Sequence, residues 1–352
     1  MKALVLSGGV GTRLRPFTYS MPKQLMPVAN QPVLIHVMDN LRALGVSQAG
    51  VVVGDRGDEI AAALGDGASI GVEVAYIHQQ APHGLAHCVS LARDFLDADD
   101  FVMYLGDVML PEGITEMAER FRVNRPAAQV VVQRVTDPRE FGVAELAADG
   151  RVTALVEKPK NPTSDLAMVG VYFFTPAIHE AVAAIQPSAR GELEITDAVQ
   201  WLVSHDYVVR AEVYTGFWKD TGRVDDVIEC NRRALDALTP SVPEGVCTDS
   251  ELIGPVLIHP TARVVRSRIT GPGLVGAGTV IEDSRIGPYT SIGENCVVSN
   301  AGVADSIVLS DATVRDIRGI HNSLIGRGAA VSSGDSHHRL VVGDHSSVEV
   351  AV

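Results

Sequence analysis

The chain has 352 residues, which is enough for two domains of ordinary size. Its formal net charge of -14 and its aromatic content of only 5% argue against a nucleic-acid partner, because such surfaces rely on clustered cations and stacked rings. No stretch approaches the roughly 20 apolar residues of a membrane span and no secretory leader is evident, so we expect a cytoplasmic protein with no membrane partner.

The amino terminus combines a strand, a glycine loop and several cations. Residues 3–6 form a short apolar run that predicts a buried parallel strand, and Gly8, Gly9 and Gly11 follow at once. Glycines allow backbone N–H groups to close on an anion. The next dozen positions supply three cations, Arg13, Arg15 and Lys23. This order predicts a polyphosphate site, although a glycine loop alone is also typical of a tight turn.

Two familiar phosphate motifs do not fit this loop. It lacks the Gly-Lys-Ser/Thr ending of a P-loop. A dinucleotide site needs its third glycine to open a helix, and Pro16 and Pro22 would break any helix here.

Strand-like and helix-like runs alternate along residues 1–240. Strands are predicted at 51–53, 72–77, 101–105 and 208–213, with helices at 31–44 and 84–95 and a hairpin at 143–157 that turns at Asp149-Gly150. This order favours an α/β fold with a mostly parallel sheet, whose ligands lie at the carboxyl ends of the strands.

Asp107 follows such an end and is a candidate metal ligand or a simple turn residue. Asp220 would by itself read as the N-cap of a helix that begins near Arg223.

The pattern changes after a Pro-containing stretch near residue 241. Apolar residues then recur at intervals of five or six, which is typical of hexapeptide repeats that form a parallel β-helix of four or five coils. These positions are 258, 264, 269, 275, 280, 286, 292, 298, 303, 308, 314, 320, 325 and 331. The alternative is an irregular β domain. Residues 340–352 are expected to add a final strand or cap.

Four cysteines occur, and none has CxxC spacing, so they predict buried thiols rather than a zinc site or a disulfide framework.

The string Gly-Gly-Val-Gly-Thr-Arg-Leu-Arg-Pro at residues 8–16, followed by Pro-Lys-Gln-Leu-Met-Pro-Val at 22–28, resembles the signature of sugar-1-phosphate nucleotidyltransferases. Further matches are Gly106-Asp107, Glu157-Lys158-Pro159, residues 190–197 and residues 217–222. The chain is most similar to glucose-1-phosphate thymidylyltransferases of the long, two-domain form. The resemblance implies a Rossmann-like mixed sheet in a nucleotidyltransferase domain at 1–240, a linker at 241–250 and a left-handed β-helix at 251–352.

The resemblance also implies a set of site residues. The nucleotide-binding residues would be Leu6, Gly8, Gly9, Gly11, Thr12, Arg13, Gln24, Gln79, Pro82, Gly84, Leu85 and Asp107. The sugar-phosphate site would comprise Gly142, Glu157, Lys158, Gly170, Tyr172, Glu192 and Trp218. Arg13, Lys23 and Lys158 would be catalytic, and Asp107 and Asp220 would hold Mg²⁺, which commonly takes one or two carboxylates. A glutamine amide such as that of Gln79 donates and accepts together, which suits the imide edge of thymine or uracil.

These matches imply transfer of a nucleotidyl group from dTTP to glucose 1-phosphate, giving dTDP-glucose and pyrophosphate. Three alternatives stay open: a UTP-dependent or other sugar-1-phosphate nucleotidyltransferase, a bifunctional enzyme with an acyltransferase β-helix, and a non-catalytic sugar-nucleotide sensor. The β-helix domain carries His259, His321, His337 and His338, one of which could serve as the base in the acyltransferase alternative. We expect a homo-oligomer, assembled through the β-helix.

Overall fold

A computed structural model describes residues 1–333, so the tail at 340–352, His337 and His338 lie outside the described residues. The described chain separates into two compact units. One comprises residues 1–10 and 33–220, and the other joins residues 11–32 to everything from Thr221 onwards. The domain limits expected from the sequence, 1–240, 241–250 and 251–352, remain a prediction.

The first unit is a nine-stranded mixed sheet covered by helices. Its strands are β1 (Lys2–Ser7), β4 (Gln48–Val53), β5 (Glu73–His78), β6 (Phe101–Leu105), β8 (Ala128–Arg134), β9 (Gly142–Leu146), β10 (Val152–Glu157), β11 (Leu166–Phe174) and β12 (Val209–Val213). A separate two-stranded ribbon pairs β7 (Val108–Met109) with β13 (Lys219–Asp220). The helices are α1 (Val33–Ala43), α2 (Gly57–Leu64), α3 (Leu85–Leu91), α4 (Arg93–Leu96), α5 (Thr115–Asn124), α6 (Ile178–Ala184) and α7 (Ile195–Ser204).

The strand order is β10-β9-β11-β6-β1-β4-β5, with β8 beside β11 and β12 beside β8. Strands β6, β1, β4 and β5 are parallel, while β11 runs antiparallel to its neighbours. This confirms the predicted Rossmann-like mixed sheet. Because β1 is central and its apolar residues are fully buried, the glycine loop that follows it starts from a rigid position.

The second unit begins with the segment 11–32, which includes the strands β2 (Pro27–Val28) and β3 (Gln31–Pro32). It continues with α8 (Val224–Asp236), an amphipathic helix that buries Val227, Ile228 and Leu235. Arg223 is the N-cap residue of this helix, so the reading of Asp220 as its N-cap is wrong.

The rest of the second unit is a parallel β-helix with three faces of six, five and five strands. The first face contains β14 (Cys247–Thr248), β17 (Arg263–Val265), β20 (Val280–Glu282), β23 (Val297–Ser299), β26 (Thr313–Arg315) and β29 (Ala330–Ser332). The second contains β15 (Glu251–Ile253), β18 (Arg268–Thr270), β21 (Arg285–Ile286), β24 (Gly302–Ala304) and β27 (Ile320–His321). The third contains β16 (Val256–Ile258), β19 (Gly273–Val275), β22 (Thr290–Ile292), β25 (Ile307–Val308) and β28 (Leu324–Ile325). The arrangement is consistent with the expected left-handed type.

One residue column lines the interior of this β-helix, as the hexapeptide spacing predicts. Val264, Ile281, Val298 and Val314 stack at successive levels of one face and are fully buried. The prediction that Val280 points inward is wrong by one position. It is half-buried, whereas Ile281, the central residue of β20, is 0% exposed because the middle side chain of a three-residue strand points inward here.

Two smaller expectations can also be compared with the structure. Cys88, Cys230 and Cys296 are buried free thiols as predicted, while Cys247 is half-buried. Within residues 1–333, no helix is both long and apolar enough to cross a membrane.

Candidate active site

The two aspartates proposed as metal ligands lie at the same end of the ribbon of the first unit. Strand β13 pairs antiparallel with β7 so that Asp220 lies opposite Val108, the residue after Asp107. Asp107 is only 5% exposed, and the Oδ1 atom of Asp220 is buried. Carboxylate oxygens are the donors that Mg²⁺ prefers, so this pair fits a magnesium ion. Over residues 1–333 there is no cluster of three or more His, Cys, Asp or Glu side chains suited to a metal.

The turn before Asp107 is tied to the strand that starts the glycine loop. Gly106 donates its N–H to the carbonyl of Leu6 at 2.9 Å. A Cβ atom on Gly106 would lie 2.5 Å from Oγ of Ser7, so only glycine fits this close approach. The carboxyl ends of β1 and β6 therefore meet at one edge of the sheet, where the fold class predicts ligands.

Gln79 lies beside the glycine loop, as a base-reading residue would. It follows β5 directly and is 9% exposed. A Cβ atom placed on Gly8 would be 3.4 Å from its Oε1 atom. Its Nε2 atom is 3.1 Å from Nδ1 of His87, a residue that was not predicted to belong to the site. Burial and the nearby His83 lower the pKa of His87, which favours a neutral ring that accepts this N–H.

Gly84 joins the expected base-side loop to the expected sugar-side loop. It precedes α3 with a φ of 100°, a value that L side chains rarely adopt. A Cβ atom there would overlap the carbonyl oxygen of Leu193 and lie 2.7 Å from its nitrogen. Leu193 also accepts from Ala86 N–H at 3.0 Å and donates to the carbonyl of His83 at 2.8 Å. The loop at 82–85 therefore packs directly on the loop at 190–194.

Glu157 is the centre of the expected sugar-phosphate site. Its Oε2 atom accepts a hydrogen bond of 2.6 Å from the hydroxyl of Thr196, in the first turn of α7. A Cβ atom on Gly142 would lie 3.1 Å from this same oxygen and would overlap Cε of Met168. The hairpin of β9 and β10 is confirmed as predicted, and a larger residue opposite Glu157 would displace the side chains of Met168 and Glu157.

Lys158 has an unusual backbone conformation for a lysine. Its φ is 43°, and its N–H donates to the carbonyl of Phe141 at 3.0 Å. Strained conformations of this kind persist where the surroundings fix them and are common at functional sites. The ammonium group is 3.8 Å from Oε1 of Glu157. The same carboxylate oxygen is 3.7 Å from the guanidinium group of Arg190. Cationic groups therefore approach Glu157 both from the neighbouring Lys158 and from the loop at 190–194.

The remaining residues of the predicted sugar-phosphate set surround strand β11. Gly170 lies in this strand with a φ of 87°, and Tyr172 is 3% exposed. Burial and the charge of Glu157 raise the pKa of Tyr172, so its phenol stays neutral. Trp218 donates from Nε1 to the carbonyl of Val169 at 3.1 Å. Glu192 lies 3.3 Å from the guanidinium group of Arg190.

The second unit carries the remaining nucleotide-side residues. Gly11 has a φ of 69°, and a Cβ atom there would lie 2.9 Å from Cβ of Lys23. The hydroxyl of Thr18 donates to the carbonyl of Gly11 at 2.8 Å. Thr12 and Arg13 are exposed in a short 3₁₀ helix. Gln24 is 1% exposed, and within the part of the chain that the structure describes neither atom of its amide has a hydrogen-bond partner.

Sequence reasoning missed three contributors to this arrangement. Thr196 lies inside the motif 190–197, but only its contact with Glu157 shows what it does. His87 shows no spacing that would single it out, because it meets Gln79 through the turn at 82–85. Gly106 was noted as part of a motif, and the close approach of Ser7 gives its physical reason.

Comparisons with known proteins identify the family of this chain. The sequence profile of the nucleotidyl transferase family matches residues 2–237. The chain is 52% identical to a glucose-1-phosphate thymidylyltransferase of Streptomyces griseus over 100% of both chains, and 50% identical to one of Streptomyces antibioticus over 99% of both. A solved structure of a Bacillus anthracis protein assigned as a glucose-1-phosphate thymidylyltransferase, in complex with sucrose, is 32% identical with a TM-score of 0.63, over 68% of this chain and 98% of that one. The chain belongs to the glucose-1-phosphate thymidylyltransferase family of nucleotidyltransferases.

Proposed function

We propose that the protein transfers a thymidylyl group from dTTP to glucose 1-phosphate and releases pyrophosphate. The observation that carries the proposal is the ribbon of β7 and β13, in which Asp220 pairs with Val108, the residue after Asp107, while Gly106 just before Asp107 is bonded to the end of β1. Such a transfer also needs groups that recognise a pyrimidine and a sugar phosphate. Gln79 would supply the first, and Glu157 with Lys158 would supply the second. The names of the two Streptomyces relatives support this choice of substrates.

The reaction forms one P–O bond and breaks another. An oxygen of the sugar phosphate attacks the α-phosphorus of the triphosphate, and pyrophosphate leaves with the electron pair of the broken bond. The attacking phosphate is already ionised near neutral pH because its second pKa is about 6. The chain therefore needs neither a general base nor a covalent nucleophile, and its task is to align two anions and offset their repulsion.

Mg²⁺ is the metal that the donor set fits, and Asp107 and Asp220 would hold it. Bound there, it would offset negative charge on the phosphates of the nucleotide. Around it, backbone N–H groups of Gly8, Gly9 and Gly11 would contact phosphate oxygens. Arg13 and Lys23 would stabilise the charge that develops on the departing pyrophosphate.

Gln79 would recognise the base through the carbonyl and N–H groups of its amide. Gln24, in the second unit, would bind the nucleotide, and its buried amide has no hydrogen-bond partner among the described residues. Buried polar groups of this kind are costly unless a ligand satisfies them. On the other side of the reaction, Lys158 would bind the phosphate of the sugar and Glu157 a sugar hydroxyl.

The choice between thymine and uracil depends on a small chemical difference. Thymine and uracil share the imide edge and differ by one methyl group, which is worth only about 1–3 kcal/mol in an apolar pocket. A matrix of dTTP, UTP and other nucleoside triphosphates against hexose 1-phosphates, read by pyrophosphate release, tests the assignment. We expect the highest kcat/KM for dTTP with glucose 1-phosphate. A clear preference for another pair would replace these substrates and keep the reaction class.

The metal assignment has its own test. Asp107→Asn and Asp220→Asn keep the side-chain shape and remove the charge, and each should lower kcat by about a hundredfold or more. Asp149→Asn is a matched control, because Asp149 is an exposed turn residue. If both ribbon variants keep normal turnover and the normal dependence on Mg²⁺, the assignment is wrong.

We further propose that the enzyme acts in the cytoplasm, where its nucleoside triphosphate substrate is present. We also propose that it forms a homo-oligomer through the β-helix. Light scattering on the full chain tests the assembly. A monomer at micromolar concentration would contradict it.

A further inference from the structure

The short hairpin of β2 and β3 contains an unfavourable turn. Ala29 and Asn30 have φ values of 49° and 61°, as a two-residue turn with both central residues left-handed requires. Asparagine tolerates this conformation, whereas alanine pays about 1–2 kcal/mol for it. Something outside the hairpin must therefore hold Ala29 in place.

Two hydrogen bonds hold this turn from elsewhere in the second unit. The N–H of Ala29 donates to Oδ1 of Asn231 at 2.9 Å, and Nδ2 of Asn30 donates to the carbonyl of Ile292 at 2.6 Å. Asn231 lies on α8, and Ile292 ends strand β22 of the β-helix. The hairpin is thus attached to both elements.

Asn231 connects all three elements through one buried amide. It is 0% exposed, and its Oδ1 atom also accepts from the hydroxyl of Ser291 at 2.7 Å. Its Nδ2 atom donates to the carbonyl of Tyr289 at 3.2 Å. Both acceptor positions of the side chain and one of its two donor positions are therefore used. An apolar residue at 231 would leave the N–H of Ala29 and the hydroxyl of Ser291 without these partners.

The hairpin follows directly after two of the proposed active-site residues. Lys23 and Gln24 lie in a 3₁₀ helix that ends at Leu25, and β2 begins two residues later. Met26 and Val28 are fully buried, so the path from that helix to the hairpin has little freedom. Moving the turn would move these two side chains.

The same segment approaches the β-helix at a second point. A Cβ atom on Gly326, beside β28, would be 3.5 Å from the ring of Phe17. Phe17 follows Arg13 and Arg15 in the chain, so the first half of the segment also lies close to the β-helix.

We propose that Asn231 is a positioning residue through which the β-helix holds the segment 11–32, with Arg13, Lys23 and Gln24, in its working conformation. The β-helix then contributes to nucleotidyl transfer itself, besides any part it plays in assembly. The inference deepens the proposed function and rests on it for the roles of the three side chains. The anchoring of the segment is a separate statement that can be tested without any activity.

The first test measures hydrogen–deuterium exchange in the full-length protein. Asn231→Ala should raise exchange of the amides in peptides covering residues 11–32 by about tenfold, because their local opening becomes easier. Arg232→Ala is the matched control. Arg232 lies on the same helix as Asn231 but binds Asp305 and Asn322 of the β-helix, and among the described residues it makes no hydrogen bond to the hairpin. It should leave exchange at 11–32 unchanged.

A rescue and a milder variant sharpen this test. Adding Ala29→Gly to Asn231→Ala should restore most of the protection, because glycine adopts the left-handed conformation without cost. Ser291→Ala removes only one hydroxyl that contacts the amide, and it should raise exchange at 11–32 by about threefold. If Asn231→Ala does not fold, Ser291→Ala is the variant to measure in its place.

The second test is kinetic and uses whichever nucleoside triphosphate and sugar 1-phosphate the wild-type enzyme prefers. Asn231→Ala should raise KM for the triphosphate by about tenfold and leave KM for the sugar phosphate within about twofold. A merely structural role would lower the active fraction and change neither KM.

Three results would overturn the inference: unchanged exchange at 11–32 in both Asn231→Ala and Ser291→Ala, an equal rise in Arg232→Ala, or an equal change of KM for both substrates. If the wild-type enzyme transfers no nucleotidyl group, the proposed function fails, and the exchange measurements alone decide whether Asn231 anchors the segment.

Discussion

The hydroxyl of Thr196 donates to Oε2 of Glu157 at 2.6 Å, which links the first turn of α7 to the end of β10. Thr196 is 0% exposed, so water does not compete for this bond. The contact fixes one carboxylate oxygen of Glu157 and leaves Oε1 on the side of Lys158 and Arg190. The orientation of a proposed sugar-binding group therefore depends on a residue that touches no substrate.

Thr196→Val tests this orientation with almost no change in shape. Loss of one buried hydrogen bond to a charged group is worth about 1–3 kcal/mol, so KM for the sugar 1-phosphate should rise about tenfold. KM for the nucleoside triphosphate should stay near its normal value. Thr163→Val is the control, since Thr163 donates to Glu145 in the same way at an exposed position. An equal rise in both KM values would contradict the assigned role.

Gly84→Ala tests the contact between the base-side and sugar-side loops. The new Cβ atom would overlap the backbone of Leu193, which cannot rotate away as a side chain could. We therefore expect kcat/KM to fall by about a hundredfold or more for both the nucleoside triphosphate and the sugar 1-phosphate. Gly150→Ala is the control. It also has a positive φ, of 79°, but no atom lies within 4 Å of its Cβ position.

The two glycine variants separate strain from steric overlap. Alanine at Gly150 should cost only about 1 kcal/mol of stability and leave the kinetics unchanged. If Gly84→Ala behaves like Gly150→Ala, the two loops move independently.

The positions of the strands and helices were easier to predict from the sequence than the pairing between distant strands. Apolar runs and glycine positions are local signals, so β1, the hairpin of β9 and β10 and the β-helix could all be recognised in advance. The pairing of β7 with β13 could not, because two-residue strands have no periodicity and their partners are far apart in the chain. That pairing is what brings Asp107 and Asp220 together.

The grouping of residues 11–32 with the carboxyl-terminal half was also beyond the sequence. It depends on single hydrogen bonds such as that from Ala29 to Asn231, and a lone asparagine in an amphipathic helix carries no signal of its own. The error at Val280 has a related cause. Two adjacent apolar residues fit the hexapeptide spacing equally well, and only the strand shows that Ile281 points inward.

Ile281→Ala and Val280→Ala form a matched pair that tests the inward column of the β-helix. Ile281 is fully buried between Val264 and Val298, so its truncation leaves a cavity and should cost about 2–5 kcal/mol. Val280 is half-buried and should cost less than about 1 kcal/mol. Thermal unfolding and limited proteolysis of the full chain measure the difference. Equal effects would mean that the column is assigned to the wrong residues.

His179 should make the stability of the protein depend on pH. The ring packs against Phe101 with centroids 6.2 Å apart, and its Nε2 atom is buried. Burial lowers the pKa of His179 below its ordinary value of 6.5, and the charge of Arg93 acts in the same direction. Below about pH 6.5 the unfolded chain binds a proton at this residue that the folded chain resists, so stability should fall as the pH falls through this value.

His179→Leu removes the titrating group and keeps an apolar side chain in the same place. The midpoint of thermal unfolding should therefore drop less between pH 7.5 and pH 5.5 in this variant than in the wild-type protein, even if the variant is less stable at the higher pH. His78→Gln, at an exposed position, should retain the wild-type dependence. Parallel curves for wild type and His179→Leu would show that the buried ring binds its proton as readily in the folded chain as in the unfolded one.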